Sequence, residues 1–498
     1  MPARPHRLRR FSPVGAFPFH STRARVGELI AGHRLGVAVA LVALVAAGAS
    51  SAGLWVKGWP NGRLTGDEPH YLVTAISLAE DGDLDIADEI AEERYLPFHE
   101  LELVPQADPL PGGRLVSPHD PLFPALLAVP AAAGGWVAAK LVLALLAGAL
   151  AGVLLWTAVR RLSVPLGSAV VVTAAFSVSA PLAVYGTLVY PEIPAALAVA
   201  VGVSALTGPL ARRGLIVLAA TVVALPWLGT KYVPVAAALA LVALWRLARR
   251  REWARAGSLV FLLVAAAGAF LVAHQLWYGG WTPYAGRGFA DGEFGVVGSS
   301  HYDILARGRR LIALLIDRDY GVGAWQPAWL LVVPALAAML VRRPARWEVI
   351  ALPLAAGWLT ASFVARTMHG WWWPGRQVVV VLPLAVLAVA WWVGPSRLRL
   401  SAVGLAGALG ALTYAWVVVE GLRGDLTWVV GFIETRGPWY RAWRLALPDY
   451  RDATWTTWLL HWAWVGIGLG LVAVWLVDWA AARRRLRPRP ASPLERLA

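Results

Sequence analysis

The chain has 498 residues, of which 58% are apolar and 15% charged, with a formal net charge of +15. Soluble domains are about a quarter charged, so this composition and a mean hydropathy of +0.59 exclude an ordinary soluble enzyme. The absence of cysteine excludes a disulfide-stapled or zinc-ribbon module.

Apolar runs of about 18–22 residues recur along the whole length, each long enough to cross a bilayer core. The fold class expected is therefore an all-α polytopic membrane protein. Its positive charges sit in short Arg-rich turns between apolar runs. That is the pattern of cytoplasmic loops, so no nucleic-acid partner is expected. The 28 tryptophans fit the two membrane interfaces, where an amphipathic ring is favoured.

Residues 1–34 are basic and read as a cytoplasmic N-terminus. The first span is expected at 35–55. Ala47-Gly48-Ala49 near its end has the look of a signal-peptidase site, but small residues also serve helix packing. An uncleaved span is the reading adopted. Residues 56–120 hold 14 acids and four bases, and this large first loop is expected outside. Residues 121–135 are apolar but short, and a crossing there would break the charge alternation. They read as a helix lying on the outer surface, which extends the outer loop to 56–135.

Further spans are expected at 136–158, 164–182, 188–206, 213–229, 232–248, 257–277, 322–341, 347–366, 376–394, 399–419 and 459–479. With the first, that makes about twelve transmembrane helices. The basic turns at Arg160-Arg161, Arg212-Arg213, 246–255, 342–346, 397–399 and the 480–498 tail then all fall on the side of the N-terminus. The module 35–419 is followed by an outer loop at 420–458.

With sidedness assigned, unusual polar residues gather on the outer face. They are Asp67, Glu68, His70 and Tyr71 in the loop, Glu192, Lys231, Asp317, Arg318, Asp319, His369, Trp373 and Arg376. Ionisable groups at span ends cost free energy, so they tend to line a cavity or site. Each has a plainer reading as a solvated acid, a snorkelling Lys, an interfacial Arg or an aromatic belt. The acids Asp81, Asp83, Asp85, Asp88 and Glu89 suggest a calcium loop at first sight. They lack the EF-hand's Gly and terminal Glu spacing, so a solvated acidic face is expected.

Several stretches together resemble the C-type glycosyltransferase superfamily, in its bacterial lipid-carrier-dependent branch similar to protein mannosyltransferases and aminoarabinose transferases. Gly66-Asp67-Glu68-Pro69-His70-Tyr71 resembles the loop motif after the first span. Ser117-Pro118-His119-Asp120-Pro121 looks like the family's surface helix segment. Tyr190-Pro191-Glu192 occupies the place of a second acid, and Gly229-Thr230-Lys231-Tyr232 resembles its Thr-Lys turn. Gly375-Arg376 resembles its Gly-x-Arg segment, with Gln377 where an aromatic often follows. The resemblance covers roughly residues 35–395.

It implies transfer of a sugar from a polyprenyl-phosphate donor to an acceptor hydroxyl on the outer face, with inversion. The acceptor would be a lipid, a glycan or a protein, and membrane lipids surround the whole. Asp67 is the expected general base, with Glu68 positioning the acceptor or stabilising charge at the anomeric carbon. Arg376 and Lys231 are expected to hold the donor phosphate. His70, Tyr71, Glu192, His369 and Trp373 are expected to contact acceptor or sugar. No organic cofactor is implied; a divalent metal ion is the one cofactor left open. The expected location is the bacterial inner membrane, with the site facing the periplasm or exterior. The alternative is a multispan lipid or polysaccharide transporter, which would place its functional polar groups on both sides or at mid-membrane. A membrane-bound acyl or phosphate-group transferase would need a His-rich or Ser/Thr nucleophile motif.

Overall fold

In lipid, backbone N–H and C=O groups find partners only within a helix or a closed barrel, and this chain forms helices. The computed structural model describes residues 19–286 and 303–485. Residues 1–18, 287–302 and 486–498 lie outside the described residues, and with them most of the expected basic N-terminus and C-terminal tail and part of the connection between the expected spans 257–277 and 322–341. Among the described residues there is no strand, only isolated bridges such as Gly62 with His99 and Asp85 with Val116 inside the first long loop.

Among the described residues, six helices are long and apolar enough to cross a membrane: Gly32–Ala52, Leu122–Leu162, Thr230–Arg249, Trp253–Ala285, Arg397–Arg423 and Trp455–Val477. Their exposure runs opposite to that of a soluble protein. Phe261, Val264, Leu276, Leu469 and Val477 are well exposed on them, as residues that meet lipid tails would be. Five shorter apolar helices accompany them: Leu166–Ser177, Glu192–Thr207, Pro327–Arg342, Glu348–Val364 and Val379–Val393. At 10–17 residues they fall short of the ~20 a straight crossing uses.

The shortening has a local cause. Prolines interrupt the expected runs, and the chain continues as turns before and after them. Leu166–Ser177 is followed by a short turn of helix at Leu182–Tyr185, then by Pro191 and the Glu192–Thr207 helix. Irregular backbone at this depth is tolerated where protein surrounds it, and residues 179–196 are all buried. A hydropathy reading cannot see these breaks, because turn residues such as Val189 and Tyr190 are as apolar as their helical neighbours.

Leu382–Val393 is the hub of the core. Every residue from Leu382 to Ala390 is buried, and it packs on the helices Leu122–Leu162, Leu166–Ser177, Glu192–Thr207, Val332–Arg342 and Glu348–Leu359. The Leu122–Leu162 helix is broken at Gly134 and Gly135. Gly135 has φ 60° and ψ −151°, a conformation essentially restricted to glycine. Residues 122–133 can therefore run in a different direction from 136–162.

Two polar devices shape the ceiling of the interior. The Glu348–Leu359 helix ends in a π-helical turn, Thr360–Val364, which leaves carbonyls unpaired. Arg307 and Arg310, both buried, donate to them. Arg307 Nη1 reaches Phe363 O and Ala365 O at 2.9 Å each, and Arg310 Nη1 reaches Ala365 O at 2.7 Å. Nearby, Asp317 accepts from the amides of Asp319 and Tyr320, and Tyr320 donates to Gly370 O. Together these contacts fix the 360–376 stretch that hangs over a large cavity.

Candidate active site

Gly66 precedes the Glu68–Glu80 helix with φ 62°. A Cβ there would stand 3.1 Å from the Tyr190 hydroxyl, so the tight turn needs glycine on two counts. The turn delivers Asp67 into a cavity of about 990 Å³. Its lining includes Asp67, Tyr71, Gln106, His119, Asp120, Tyr190, Lys231, Tyr232, Trp371, Trp372 and Arg376.

Four charged groups meet at this cavity. Arg376 Nη2 donates to Asp67 Oδ2 at 2.6 Å, and Arg376 Nε donates to Glu192 Oε1 at 3.1 Å. Lys231 Nζ donates to the same Glu192 oxygen at 2.7 Å. The other oxygen, Oε2, is buried without a hydrogen-bond partner. Within this chain of contacts two carboxylates meet two cations. The Asp67 side chain is 24% exposed and that of Lys231 30%, against 9% for Arg376 and none for Glu192. Asp67 and Lys231 are therefore the groups a ligand meets first. The Arg376 guanidinium also lies 4.1 Å from the Tyr190 ring centroid and 5.3 Å from that of Trp372. Burial works against its charge, but Asp67, Tyr190 and Glu192 outweigh burial and hold the proton more firmly than usual.

Glu68 is placed differently from what its sequence position suggests. It is fully buried and is not in the cavity wall. Its Oε1 accepts from Val189 N at 2.7 Å and its Oε2 from Thr65 N at 3.2 Å. Burial pushes its carboxyl above the usual range, against the pull of Lys140 and of those two amides. With both oxygens occupied by backbone, Glu68 staples the Asp67 turn to the 189 turn and has no free face for an acceptor or a sugar.

Other expected contacts also move out of the cavity. His70 is buried in the Glu68–Glu80 helix, while the next residue, Tyr71, lines the wall and stacks on His119 at 4.2 Å between centroids. Glu192 stands behind Arg376 and Lys231 as their anchor. His369 is buried, with Nε2 3.6 Å from Asp317 Oδ2. Trp373 is buried among Trp325, Trp428 and Phe432. The three consecutive tryptophans thus divide, because successive side chains of a turn point different ways. Trp371 and Trp372 face the cavity, with Trp59 tilted against Trp371 at 5.0 Å. The acids Asp317 and Asp319 belong to a bracing network, in which Arg444 donates to Asp319 at 2.8 Å.

A second polar cluster was not expected. Asp120 Oδ2 accepts from Thr230 N at 2.7 Å, and its Oδ1 lies 3.1 Å from His274 Nε2. His274 is fully buried, and its Nδ1 is 2.8 Å from Phe270 O. This contact ties the 229–232 turn to the end of the first long loop, and so holds the backbone that carries Lys231. A lone histidine within the apolar Trp253–Tyr278 helix was the available signal for it. Gln106, whose Nε2 donates to Asp67 Oδ1 at 3.2 Å, gave no signal in sequence at all.

The arrangement can hold an anion on two fixed cations, present a carboxylate beside it and shield both with aromatic rings. In comparison with known proteins, the chain matches no family model, no curated protein and no solved structure.

Proposed function

We propose that the protein is an integral-membrane glycosyltransferase that moves a sugar from a polyprenyl-phosphate donor to an acceptor hydroxyl on the extracytoplasmic face. The observation that carries the reading is the Asp67–Arg376–Glu192–Lys231 chain of contacts at one wide, aromatic-walled cavity. These residues come from four distant stretches, each of which the sequence resemblance had singled out.

The chemistry follows from those positions. The acceptor O–H attacks the anomeric carbon, its proton passes to Asp67, and the bond from that carbon to the phosphate oxygen breaks. The leaving polyprenyl phosphate gains negative charge, which Arg376 and Lys231 offset. A single displacement inverts the anomeric centre. Asp67 starts in contact with Arg376, and a carboxylate so paired is a weak base. A donor phosphate competes for the same guanidinium N–H groups. Donor binding therefore loosens Asp67 and readies it for the acceptor, which orders the two substrates.

Membrane placement fits the same reading. The six long helices, the five shorter ones and Arg212–Leu228 make twelve crossings in this proposal, with the first long loop and the cavity mouth outside. The donor's lipid tail stays in the bilayer while its phosphate reaches the cavity.

The test is incubation of the purified protein with a panel of polyprenyl-phosphate sugars and hydroxyl acceptors, scored for released polyprenyl phosphate and for glycosylated product. No turnover or hydrolysis of any donor, together with facilitated lipid movement in vesicles, would move the assignment to a transporter.

A further inference from the structure

The acids at 81–89 do not behave as one solvated face. Asp83 Oδ1 accepts from Asp85 N and Ser77 Oγ, at 2.9 and 3.2 Å. Asp85 Oδ1 accepts from Leu115 N and Ala87 N, at 2.8 and 3.2 Å. These two are turn acceptors, with their lone pairs spent on backbone. The other three converge instead. Oxygens of Asp81, Asp88 and Glu89 all lie within 4.8 Å of one another.

Glu89 separates this group from an ordinary acidic patch. It is 2% exposed, and both its carboxylate oxygens are buried without a hydrogen-bond partner. A buried carboxylate is ordinarily hydrogen-bonded or paired. Arg94, the cation nearest in sequence, makes no hydrogen bond to the Glu89 carboxylate. Arg94 is engaged by Glu80, at 2.5 and 2.6 Å to its two oxygens, and by Glu92 at 3.7 Å.

We propose that Asp81, Asp88 and Glu89 form a calcium site that braces the first long loop. Three carboxylate oxygens at this spacing fit around a hard cation with metal–oxygen distances of about 2.4 Å, and calcium tolerates irregular oxygen shells completed by water. Asp81 follows directly on the Glu68–Glu80 helix, and Asp88 and Glu89 open the Ala87–Ala91 helix. A bound ion ties the two together across the turn between them. The site is separate from the cavity and does not rest on the transferase reading.

The experiment is calcium titration of the chelator-treated full chain in detergent, by calorimetry and by thermal unfolding. One saturable ion per chain is expected, with a dissociation constant in the range of about 0.1–1 mM typical of extracellular calcium modules, and a rise in Tm. Asp81→Asn, an exposed change, should weaken binding at least tenfold, and Asp81→Asn/Glu89→Gln should abolish it. Glu102→Gln, an exposed acid of the same loop outside the group, should leave it unchanged. Absence of saturable binding in the wild type overturns the proposal. So does retained affinity in the double variant, an equal loss in Glu102→Gln, or magnesium matching calcium at equal concentration.

Discussion

Arg376 and Asp67 stand 309 positions apart in the chain, yet the guanidinium donates to the carboxylate across 2.6 Å. The contact lies at the cavity, where both side chains are part of the lining. A change to either alters both the chemistry and the charge balance, and the first two predictions separate those effects.

Asp67→Asn keeps the shape and an acceptor oxygen for Arg376 while removing the base. Loss of a general base costs about 10²–10⁴-fold in rate. Transfer to acceptor should fall by that order while donor binding persists or strengthens, because Arg376 loses a competing anion. Product formation and donor affinity, measured together on a variant of wild-type Tm, check this. Transfer within a few-fold of wild type would remove Asp67 from the mechanism.

Arg376→Ala leaves Glu192 and Asp67 without their shared cation. Removing one partner of a buried pair costs about 3–5 kcal/mol, so a lower Tm is expected alongside poor use of donor. Arg376→Ala/Glu192→Gln should be more stable than the single variant, since the single leaves Asp67 and Glu192 against Lys231 alone and the double restores one charge of each sign. A thermal double-mutant cycle reads this coupling. Additive losses would show that the two side chains do not depend on each other. Arg376→Lys keeps the charge but loses the two-sided fork; its donor KM should rise more than its kcat falls.

Glu68 is expected to matter through structure. Glu68→Gln keeps one acceptor oxygen and places an amide NH₂ against the backbone N–H of Val189 or Thr65. A destabilisation of about 1–3 kcal/mol follows from the unsatisfied buried donor. Activity should track the folded fraction. A fully folded Glu68→Gln protein without activity would place Glu68 in the chemistry after all.

The Asp120 contact predicts an effect at a distance. Asp120→Ala strips Thr230 N and His274 of their acceptor and frees the turn carrying Lys231. The expected result is a donor KM raised several-fold with a smaller change in kcat. A KM unchanged from wild type in a folded variant would show that the turn holds itself.

The elements legible in the sequence were those that depend on local composition. Long apolar runs gave helices such as Trp253–Ala285 and Arg397–Arg423. Asp67, Lys231 and Arg376 were marked by being charged beside such runs, and they do share one cavity. What stayed hidden depends on direction and on partners from afar. Asp67 and Glu68 are adjacent and chemically alike, but one turn aims the first at the cavity and the second at buried amides. Trp371 and Trp373 part company for the same reason. The breaks between Leu166–Ser177 and Glu192–Thr207 left no mark in hydropathy because the turns there are apolar too. Glu89 read as solvated because nothing in its neighbours announces that the loop folds over it.

The Trp253–Ala285 helix is only 11% buried over its most apolar stretch, against 61% for Leu122–Leu162. Its polar ties to the rest of the protein include His274 against Asp120 and the Tyr278 hydroxyl, which donates to His119 O at 2.6 Å. A helix with so little protein around it meets lipid along much of its length and accommodates thickness mismatch partly by tilting, at a cost of fractions of a kcal/mol per Å. That tilt bears on His274, through Asp120 on Thr230, and through Thr230 on the backbone of Lys231. On the proposed placement, a shift in donor KM between vesicles of short-chain and long-chain lipids is the expected sign that this route reaches the cavity.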